Sequence, residues 1–318
     1  MDTYNNNIYN SLKECSLCPR MCKVNRIDNE KGMCRAPSSA KVSLAALHQW
    51  EEPCISGENN CSCVYGNSSG RGSGAVFFTG CNLKCVFCQN FEISQHDYGK
   101  EVSIEHLAQI FLNLQKQGAY NINLVSPTHF VPQIKEALVI AKSNNLNIPI
   151  IYNTNGYENV ETLSSLEGLV DVYLPDLKYY NDNYAIRYSK APHYFEYAAK
   201  AILEMYRQVG SPQFNDKGLI TKGLIIRHLM LPGLLRDSKN ILKWISENLP
   251  KSIYISLMSQ YTPMHKANDF KELNSRIHKI QYDACIEYFF KIGLENGYVQ
   301  ELSSATDTYT PAFDLRGV

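Results

Sequence analysis

The sequence predicts an α/β protein built on a parallel, barrel-like sheet, with a small cysteine-rich segment in front of it. Six or so short apolar runs are each followed by residues with the period of an amphipathic helix, a pattern typical of parallel strands joined by right-handed crossovers. Polar residues stand directly after these runs. Ten of the eleven cysteines precede residue 89, which sets the cysteine-rich start apart from the strand–helix repeat.

The composition is that of a globular protein without a bias toward nucleic acid or membranes. The 318 residues include 31 basic and 31 acidic side chains, and 44% are apolar, with a mean hydropathy of −0.28. Balanced charge argues against an electrostatic grip on nucleic acid and against a polybasic membrane patch. No apolar run is as long as a membrane span, and the start has no apolar signal core. We therefore expect a cytoplasmic protein whose cysteines bind metal rather than form disulfides.

Residues 1–55 form the predicted cysteine-rich segment. Three cysteines stand close together around a Pro-Arg pair, and a fourth follows Gly32; they are Cys15, Cys18, Cys22 and Cys34. Four sulfurs in two groups, with Pro and Gly setting the turns, predict a metal site that holds zinc or a second iron–sulfur cluster. The spacing does not separate these two metals.

Between this metal site and the barrel, residues 40–50 predict a short strand that leads into a loop. Glu51 and Glu52 follow it. Two adjacent carboxylates are more often a solvated surface than part of a site, so we expect them at the surface. The role of Cys54 is left open.

Residues 56–73 are rich in Gly, Ser and Asn and predict a flexible loop beside the mouth of a site. Cys61 and Cys63 lie in this loop. A C-x-C pair is a weak metal signal, and free thiols are the favoured interpretation.

The apolar run from Ala75 to Phe78 predicts a buried strand that ends at Thr79-Gly80. Three cysteines follow it directly: Cys81, Cys85 and Cys88. Three thiolates on one tight loop suit a 4Fe–4S cluster with one iron left open to a small molecule. The alternatives are a zinc site that lacks its fourth ligand, or buried free thiols.

The chain after this loop alternates between strands and helices. Ser103 is a typical N-cap for the first helix and Gly118 a typical stop, and Gly210 is a stop for a later, longer helix. Strands are predicted at 122–125, 148–152, 170–174, 224–226 and 253–258, and helices after Ser103, from Pro132, over 194–209, from Asp237 and around Cys285, Phe289 and Phe290. Cys285 fits the core spacing of its helix and is predicted to be buried and inert.

Polar side chains recur at the carboxyl ends of the predicted strands. Because these ends converge on one mouth in a barrel of parallel strands, we expect the polar groups to build a single site. They include the three cysteines, residues 126–129 and 153–155, and Asp176, Lys178, Arg227, His228, Gln260 and Tyr261. Ordinary loop composition is the alternative, but recurrence at successive strand ends favours convergence.

The loop of Cys81, Cys85 and Cys88, with Phe87 before the third cysteine, resembles the signature of the radical S-adenosylmethionine (SAM) superfamily. Other motifs resemble glycyl-radical-enzyme activating proteins, in a branch similar to pyruvate formate-lyase activating enzyme. They are Cys-Pro-Arg-x-Cys, Trp50-Glu51-Glu52-Pro53, Ser126-Pro127-Thr128-His129-Phe130, Asn153-Thr154-Asn155-Gly156, Tyr173-Leu174-Pro175-Asp176-Leu177-Lys178 and Arg227-His228-Leu229. The resemblance implies a partial (β/α)6 barrel over residues 74–300, followed by a C-terminal tail at 301–318.

The resemblance also implies which residues hold the cofactors. Cys81, Cys85 and Cys88 would bind a 4Fe–4S cluster whose open iron takes the amino and carboxylate groups of SAM. Phe87 would pack on the adenine, and Tyr261 would contact the adenine or ribose. The remaining contacts implied for SAM, or for a cation beside its carboxylate, are Ser126, Thr128, Asn153, Thr154, Asp176, Lys178 and Arg227.

The implied activity is that of an anaerobic oxidoreductase. One electron from the cluster would cleave SAM to methionine and a 5′-deoxyadenosyl radical, which would make a glycyl radical on a partner enzyme. A flavodoxin- or ferredoxin-type protein would supply the electron, and neither nucleic acid nor a membrane is expected as a partner. The alternatives are a radical SAM enzyme that modifies another protein or a small molecule, with an auxiliary metal site, and a non-catalytic electron carrier.

Overall fold

The strand–helix alternation expected from the sequence is present in the computed structural model, which describes residues 10–57, 71–302 and 310–318. The strands are β1 (Ala40–His48), β2 (Gly72–Phe78), β3 (Lys100–Val102), β4 (Ala119–Val125), β5 (Ile150–Thr154), β6 (Val172–Pro175), β7 (Gln213–Phe214), β8 (Ile220–Leu229), β9 (Tyr254–Met258) and β10 (Gly297–Val299). The helices are α1 (Pro53–Ser56), α2 (Phe91–Gln95), α3 (Ile104–Lys116), α4 (Val131–Ser143), α5 (Val160–Ser164), α6 (Asp182–Ser189), α7 (Tyr194–Val209), α8 (Leu235–Asn248) and α9 (Lys279–Lys291).

The strands join in one sheet with the order β10-β9-β8-β6-β5-β4-β2-β1-β3, and β7 pairs with β8 beside this path. Neighbours from β2 through β10 are parallel, whereas β1 is antiparallel to β2 and β3. The prediction of a mostly parallel α/β sheet is therefore confirmed. Within the described residues the strand order is open at β3 and β10, as in a partial barrel.

Local signals fix the helices that cover the sheet. The Ser103 side chain accepts a hydrogen bond from the backbone N–H of His106 at 3.1 Å, which satisfies a free donor in the first turn of α3. Helix α7 ends at Gly210, which has φ 71°, a conformation that glycine adopts without strain. Both predictions are confirmed.

Several details differ from the sequence prediction. Helix α8 begins at Leu235, before Asp237, whose carboxylate accepts hydrogen bonds from the backbone N–H groups of Tyr180 and Asn181. The side chain therefore ties the loop after β6 to α8 instead of capping α8. Phe290 is 52% exposed while Phe289 is buried, because the two residues point to different sides of α9. The short elements α1, α2, β3 and β7 were not predicted.

The first and last described parts of the chain both join the sheet. Strand β1, from the predicted cysteine-rich segment, pairs along most of its length with β2. Near the C-terminus, Arg316 accepts a hydrogen bond from Ala45 N–H at 2.9 Å, and Leu315 N–H donates to Ser43 O at 3.2 Å. The proposed division into a segment, a loop, a barrel and a tail stays a prediction. The structure nevertheless shows that both ends contribute to the same framework.

A glycine controls the packing of two neighbouring strand ends. Gly156 follows β5 with φ 80°, and a Cβ atom there would overlap the carbonyl oxygen of Asp176 after β6. Gly168 has nearly the same φ, 79°, but no atom lies within 4 Å of the corresponding Cβ position. The two glycines therefore share a backbone conformation and differ in the space around them.

We predict that Gly156→Ala destabilises the protein more than Gly168→Ala. Both variants should lose about 1–2 kcal/mol because alanine is strained in the left-handed region, and Gly156→Ala should lose about 1–3 kcal/mol more because the methyl group overlaps backbone. Denaturant unfolding followed by circular dichroism measures both free energies. Equal losses would show that the strand ends do not pack as described.

Candidate active site

The carboxyl ends of the parallel strands surround a cavity of about 250 Å³. This is where side chains from successive parallel strands are expected to meet. Of the residues that the sequence predicted to hold the three-cysteine cluster or SAM, all but Thr128 line it: Cys81, Cys85, Phe87, Cys88, Ser126, Asn153, Thr154, Asp176, Lys178, Arg227 and Tyr261.

The three-cysteine loop lies between β2 and α2 and is held from outside by α6. The backbone N–H of Lys84 donates to Ser189 O at 3.0 Å, and that of Val86 donates to Tyr188 O at 2.8 Å. These bonds join the loop to a helix distant in sequence. The position of the cysteines therefore depends on the assembled barrel and not on the loop alone.

Each cysteine sulfur in this loop has a polar neighbour. Asn155 Nδ2 donates to Cys81 Sγ at 3.3 Å, and Ser189 Oγ donates to Cys85 Sγ at 3.0 Å. Cys88 Sγ lies 3.3 Å from the hydroxyl oxygen of Ser94. Hydrogen bonds to ligand sulfurs are one way in which a protein sets the potential of an iron–sulfur cluster.

The chemistry of these thiols fits a cluster. Burial raises the pKa of Cys81 and of Cys85 to about 11, so their thiolates need a nearby cationic group such as iron. Within the described residues, no three His, Cys, Asp or Glu side chains are grouped closely enough to hold one metal ion. A 4Fe–4S cluster instead places each thiolate on a different iron, and all three cysteines line the cavity.

Phe87 and Tyr261 form an aromatic part of the wall. Their rings meet edge to face with centroids 5.9 Å apart. The hydroxyl of Tyr261 donates to Leu273 O at 2.7 Å and is buried. Tyr261 therefore offers its ring to the cavity, and its hydroxyl is already used within the protein.

The structure does not bring Thr128 to the cavity. Thr128 is buried in a short 3-10 turn, and its hydroxyl donates to Glu158 Oε1 at 2.6 Å. Ser126, in contrast, lines the cavity with a left-handed backbone of φ 58°. The Thr128 hydroxyl is therefore used within the protein, because a buried carboxyl group takes its hydrogen bond, and the predicted SAM contact through it stays a prediction.

The end of β5 and the loop after it supply three further groups. Asn153 lines the cavity, and the hydroxyl of Thr154 donates to Glu158. Asn155 was not among the predicted SAM contacts, yet its amide reaches both Cys81 Sγ at 3.3 Å and Asn82 Oδ1 at 2.8 Å. Asn155 thus ties the loop after β5 directly to the three-cysteine loop.

Asp176 and Lys178 form an ion pair in the wall, with Lys178 Nζ 2.6 Å from Asp176 Oδ2. Burial alone would lower the pKa of Lys178, but Asp176 and the neighbouring Cys85 raise it above its usual value. Lys178 is therefore a permanent cation between a carboxylate and a cluster cysteine. A cation in this position suits an anionic group such as a carboxylate of a ligand.

Arg227 lies between two buried carboxylates. Arg227 Nε donates to Glu52 Oε1 at 2.8 Å, and its Nη2 also contacts Glu51 and Glu52. The Glu51 and Glu52 side chains are only 9% and 6% exposed, so the expectation of a solvated surface pair is wrong. Burial opposes ionisation of Glu52, but Arg227 outweighs it and holds the pKa of Glu52 below its usual value.

Sequence reasoning missed two other parts of the cavity wall. His48 and Glu51 come from the end of β1 and the loop after it, and Thr310 and Pro311 come from the C-terminal residues. The acidic pair before Pro53 is the sequence signal that could have indicated Glu51. The wall position of Thr310 has no comparable signal.

The other cysteines fall into three groups. The sulfur-bearing residues Cys15, Cys18, Cys22 and Cys34 line a second, much smaller cavity. Cys54 and Cys285 are buried, and burial raises their pKa to about 11 and about 12, as expected for inert core thiols. Cys61 and Cys63 lie outside the described residues, so their predicted role as free thiols stays a prediction.

The family model of the radical SAM superfamily matches residues 75–245, more than half of the 318 residues. This range contains the three-cysteine loop and the strand ends through Arg227. The chain therefore belongs to the radical SAM superfamily, which implies SAM and a 4Fe–4S cluster as cofactors.

Among curated proteins, the chain is similar to Uncharacterized protein MJ0674 of Methanocaldococcus jannaschii. The two are 31% identical over 296 residues, which cover 90% of this chain and 77% of the relative.

Two solved structures are also similar. SuiB of Streptococcus suis, bound to S-adenosylmethionine, is 14% identical with a TM-score of 0.49, over 71% of this chain and 50% of SuiB. The FeFe-hydrogenase maturase HydG from Carboxydothermus hydrogenoformans is 13% identical with a TM-score of 0.47, over 72% of this chain and 54% of HydG. The chain thus spans about half the length of each solved protein.

Across residues 10–57, 71–302 and 310–318, no helix is both long and apolar enough to cross a membrane.

We predict that Glu158→Gln removes a pH-dependent loss of stability. Burial raises the pKa of Glu158 from its usual 4.5 to about 7, so between these values the folded protein keeps a proton that the unfolded chain releases. The wild type should therefore lose about 3 kcal/mol relative to Glu158→Gln as pH rises from 4.5 to 7, and no more above 7. Urea midpoints across this range measure the difference.

The free energy of unfolding of each variant must be compared with that of the wild type at the same pH. Buried His129 and His228 are present in both proteins, and they change the stability with pH in the direction opposite to Glu158. Burial lowers their pKa to about 3 and about 4, so they add stability as pH rises toward 6.5. Glu295→Gln, at an exposed position, is the control and should follow the wild type. A Glu158→Gln variant with the wild-type pH profile would contradict the buried carboxyl.

Proposed function

We propose that this radical SAM protein cleaves SAM reductively and uses the resulting radical to take a hydrogen atom from a glycine of a partner enzyme. The observation that carries the proposal is one cavity lined by Cys81, Cys85 and Cys88 and by Asn153, Asp176 and Lys178. When bound, the cluster supplies one electron to the sulfonium of SAM, which yields methionine and a 5′-deoxyadenosyl radical. The other steps depend on how this chain binds and shields the reactants.

The charges of the wall suit a cationic ligand with one carboxylate. SAM carries a sulfonium, an ammonium and a carboxylate group. Lys178, paired with Asp176 at 2.6 Å, would bind the carboxylate, while Asp176 and Glu51 provide negative charge for the sulfonium and ammonium. Because these groups are mostly buried, their effect on a ligand is stronger than it would be in water.

A glycine target is favoured by the strand-end motifs, among them Asn153-Thr154-Asn155-Gly156 and Asp176-Leu177-Lys178, which resemble those of glycyl-radical-enzyme activating proteins. A glycine on an extended loop of a partner protein brings its Cα hydrogen forward without a side chain. The apolar wall of Phe87 and Tyr261 would help to exclude water from the radical.

The proposal implies an anaerobic reaction in the cytoplasm, with a flavodoxin- or ferredoxin-type protein as the electron donor. These expectations follow from the need for one low-potential electron at the cluster. Neither a nucleic acid nor a membrane has a role in the proposed reaction.

We expect anaerobically reconstituted wild-type protein to form 5′-deoxyadenosine from SAM and dithionite, and Cys85→Ala to form about 100-fold less or none because a ligand is lost. Cys285→Ala changes a buried thiol in α9 and should keep wild-type cleavage. Candidate glycyl-radical enzymes are then added one at a time, beginning with pyruvate formate-lyase, and with the true partner we expect the doublet of a glycyl radical in the EPR spectrum.

The outcomes separate the two parts of the proposal. Cleavage that survives Cys85→Ala would reject the three-cysteine site. Cleavage without a glycyl radical on any candidate would reject the activating role and leave a radical SAM enzyme that acts on another protein or on a small molecule.

We predict that Asp176→Asn raises the KM for SAM about tenfold, since it removes a carboxylate that fixes Lys178 and faces a cationic ligand. Asp283→Asn is a matched control, because Asp283 pairs with Lys279 at the same distance of 2.6 Å on the exposed face of α9. Steady-state 5′-deoxyadenosine formation measures both variants. Equal KM values for the two variants would remove Asp176 from the SAM site.

A further inference from the structure

The four cysteines of the N-terminal segment converge although they are separated in sequence. Cys15, Cys18, Cys22 and Cys34 line one cavity of about 10 Å³, roughly the space of a single water molecule. The backbone folds back on itself here, with Lys23 N–H donating to Cys15 O at 2.9 Å.

Gly32 leaves room for one of these sulfurs. A Cβ atom at Gly32 would lie 2.9 Å from Cys22 Sγ, which is closer than real Cβ contacts come. The absence of a side chain at this position therefore keeps the Cys22 thiol at the cavity.

Two arginines border the same cavity without a carboxylate partner. Arg26 is 1% exposed and donates to the carbonyl oxygens of Pro37 at 3.0 Å and of His129 at 2.7 Å. Arg20 Nε donates to Asn82 O at 2.8 Å, while its Nη2 atom is buried and has no hydrogen-bond partner. Within the described residues, neither guanidinium forms a salt bridge with a carboxylate.

A buried cation without an anion is costly. Arg26 is buried as a whole, and Arg20 is half-buried with a buried Nη2 atom, so both arginines indicate that negative charge belongs in this cavity. Four thiolates around a divalent ion keep two negative charges, which two arginines would balance. A four-iron cluster in its oxidised state keeps the same charge with four thiolates. Either centre therefore has a net charge of −2, which the two arginines would balance.

The cavity adjoins the three-cysteine loop. Asn82, next to Cys81, lines the four-cysteine cavity and accepts a hydrogen bond from Asn155 Nδ2 at 2.8 Å. A Cβ atom at Gly80 would lie 2.5 Å from the carbonyl oxygen of Cys34. The two groups of cysteines are thus in contact through backbone and one amide side chain.

We propose that Cys15, Cys18, Cys22 and Cys34 bind a tetrathiolate metal centre, zinc or iron–sulfur, whose negative charge is balanced by Arg20 and Arg26. The thiols in the structure are not grouped closely enough for one ion, so binding would draw them inward around zinc or place them around a cluster. In either form the centre supports the loop that carries Cys81.

The first test counts metal in the full chain with Cys81, Cys85 and Cys88 all changed to Ala, so that the remaining metal reports the second site. Protein produced with both zinc and iron should contain about one zinc or about four irons per chain, and the count separates the two forms. Adding Cys18→Ser should remove at least about nine-tenths of that metal, whereas adding Cys285→Ala should not. A parent protein without metal, or a count that Cys18→Ser leaves unchanged, would overturn the proposal.

The second test examines the charge balance in the same background. We expect Arg26→Met and Arg20→Met to release the metal to a competing chelator at about tenfold lower chelator concentration. Arg35→Met, which removes an exposed arginine next to Cys34, should behave like the parent. Arg26→Lys keeps the positive charge and should release metal like the parent. If Arg26→Met fails to fold by circular dichroism, Arg20→Met alone tests the charge. Release from Arg20→Met, and from Arg26→Met where it folds, at the same chelator concentration as from Arg35→Met would reject the role of the arginines.

Discussion

The contact of Arg227 with Glu51 and Glu52 is the interaction on which the cavity depends. It joins residues 175 positions apart in the sequence and closes the cavity with charges that are almost fully buried. Removing Arg227 would leave two buried carboxylates without their cation, at a cost of about 3–5 kcal/mol. Glu51 also accepts a hydrogen bond from Asn123 of β4 at 3.0 Å. Its contacts with Asn123 and Arg227 therefore join the loop after β1 to both β4 and β8.

The same contact gives the cavity its electrostatic character. Arg227 is paired with the carboxylates of Glu51 and Glu52, and Lys178 is paired with that of Asp176. With three carboxylates and two cations, this group has a formal excess of one negative charge before any ligand binds. Such a wall favours a ligand with net positive charge, and SAM has one. Lys178 remains a defined cation in this wall, held beside Asp176.

Features that depend on residues a few positions apart could be predicted from the sequence. The environment of a side chain could not be predicted where it depends on a partner distant in the sequence. The strands, the Ser103 cap and the Gly210 stop follow from residue types within a few positions. Glu51 and Glu52 look the same in sequence whether they are solvated or paired with Arg227. The sequence likewise does not show that the Thr128 hydroxyl donates a hydrogen bond to Glu158, thirty residues further along the chain. Short elements such as α1 and β7 have too few residues to show a period.

The cysteine-rich segment packs directly against the main sheet at Gly80. With φ 91° and the carbonyl of Cys34 where a side chain would be, Gly80 allows the segment to lie directly against the strand end that leads into Cys81. The segment also supplies β1 to the sheet and Glu51 to the cavity wall. The cysteine-rich segment thus provides a strand, a residue of the cavity wall and a contact beside the three-cysteine loop, and we regard it as part of the candidate active site. Its folding and the geometry of the three-cysteine loop are therefore expected to depend on each other.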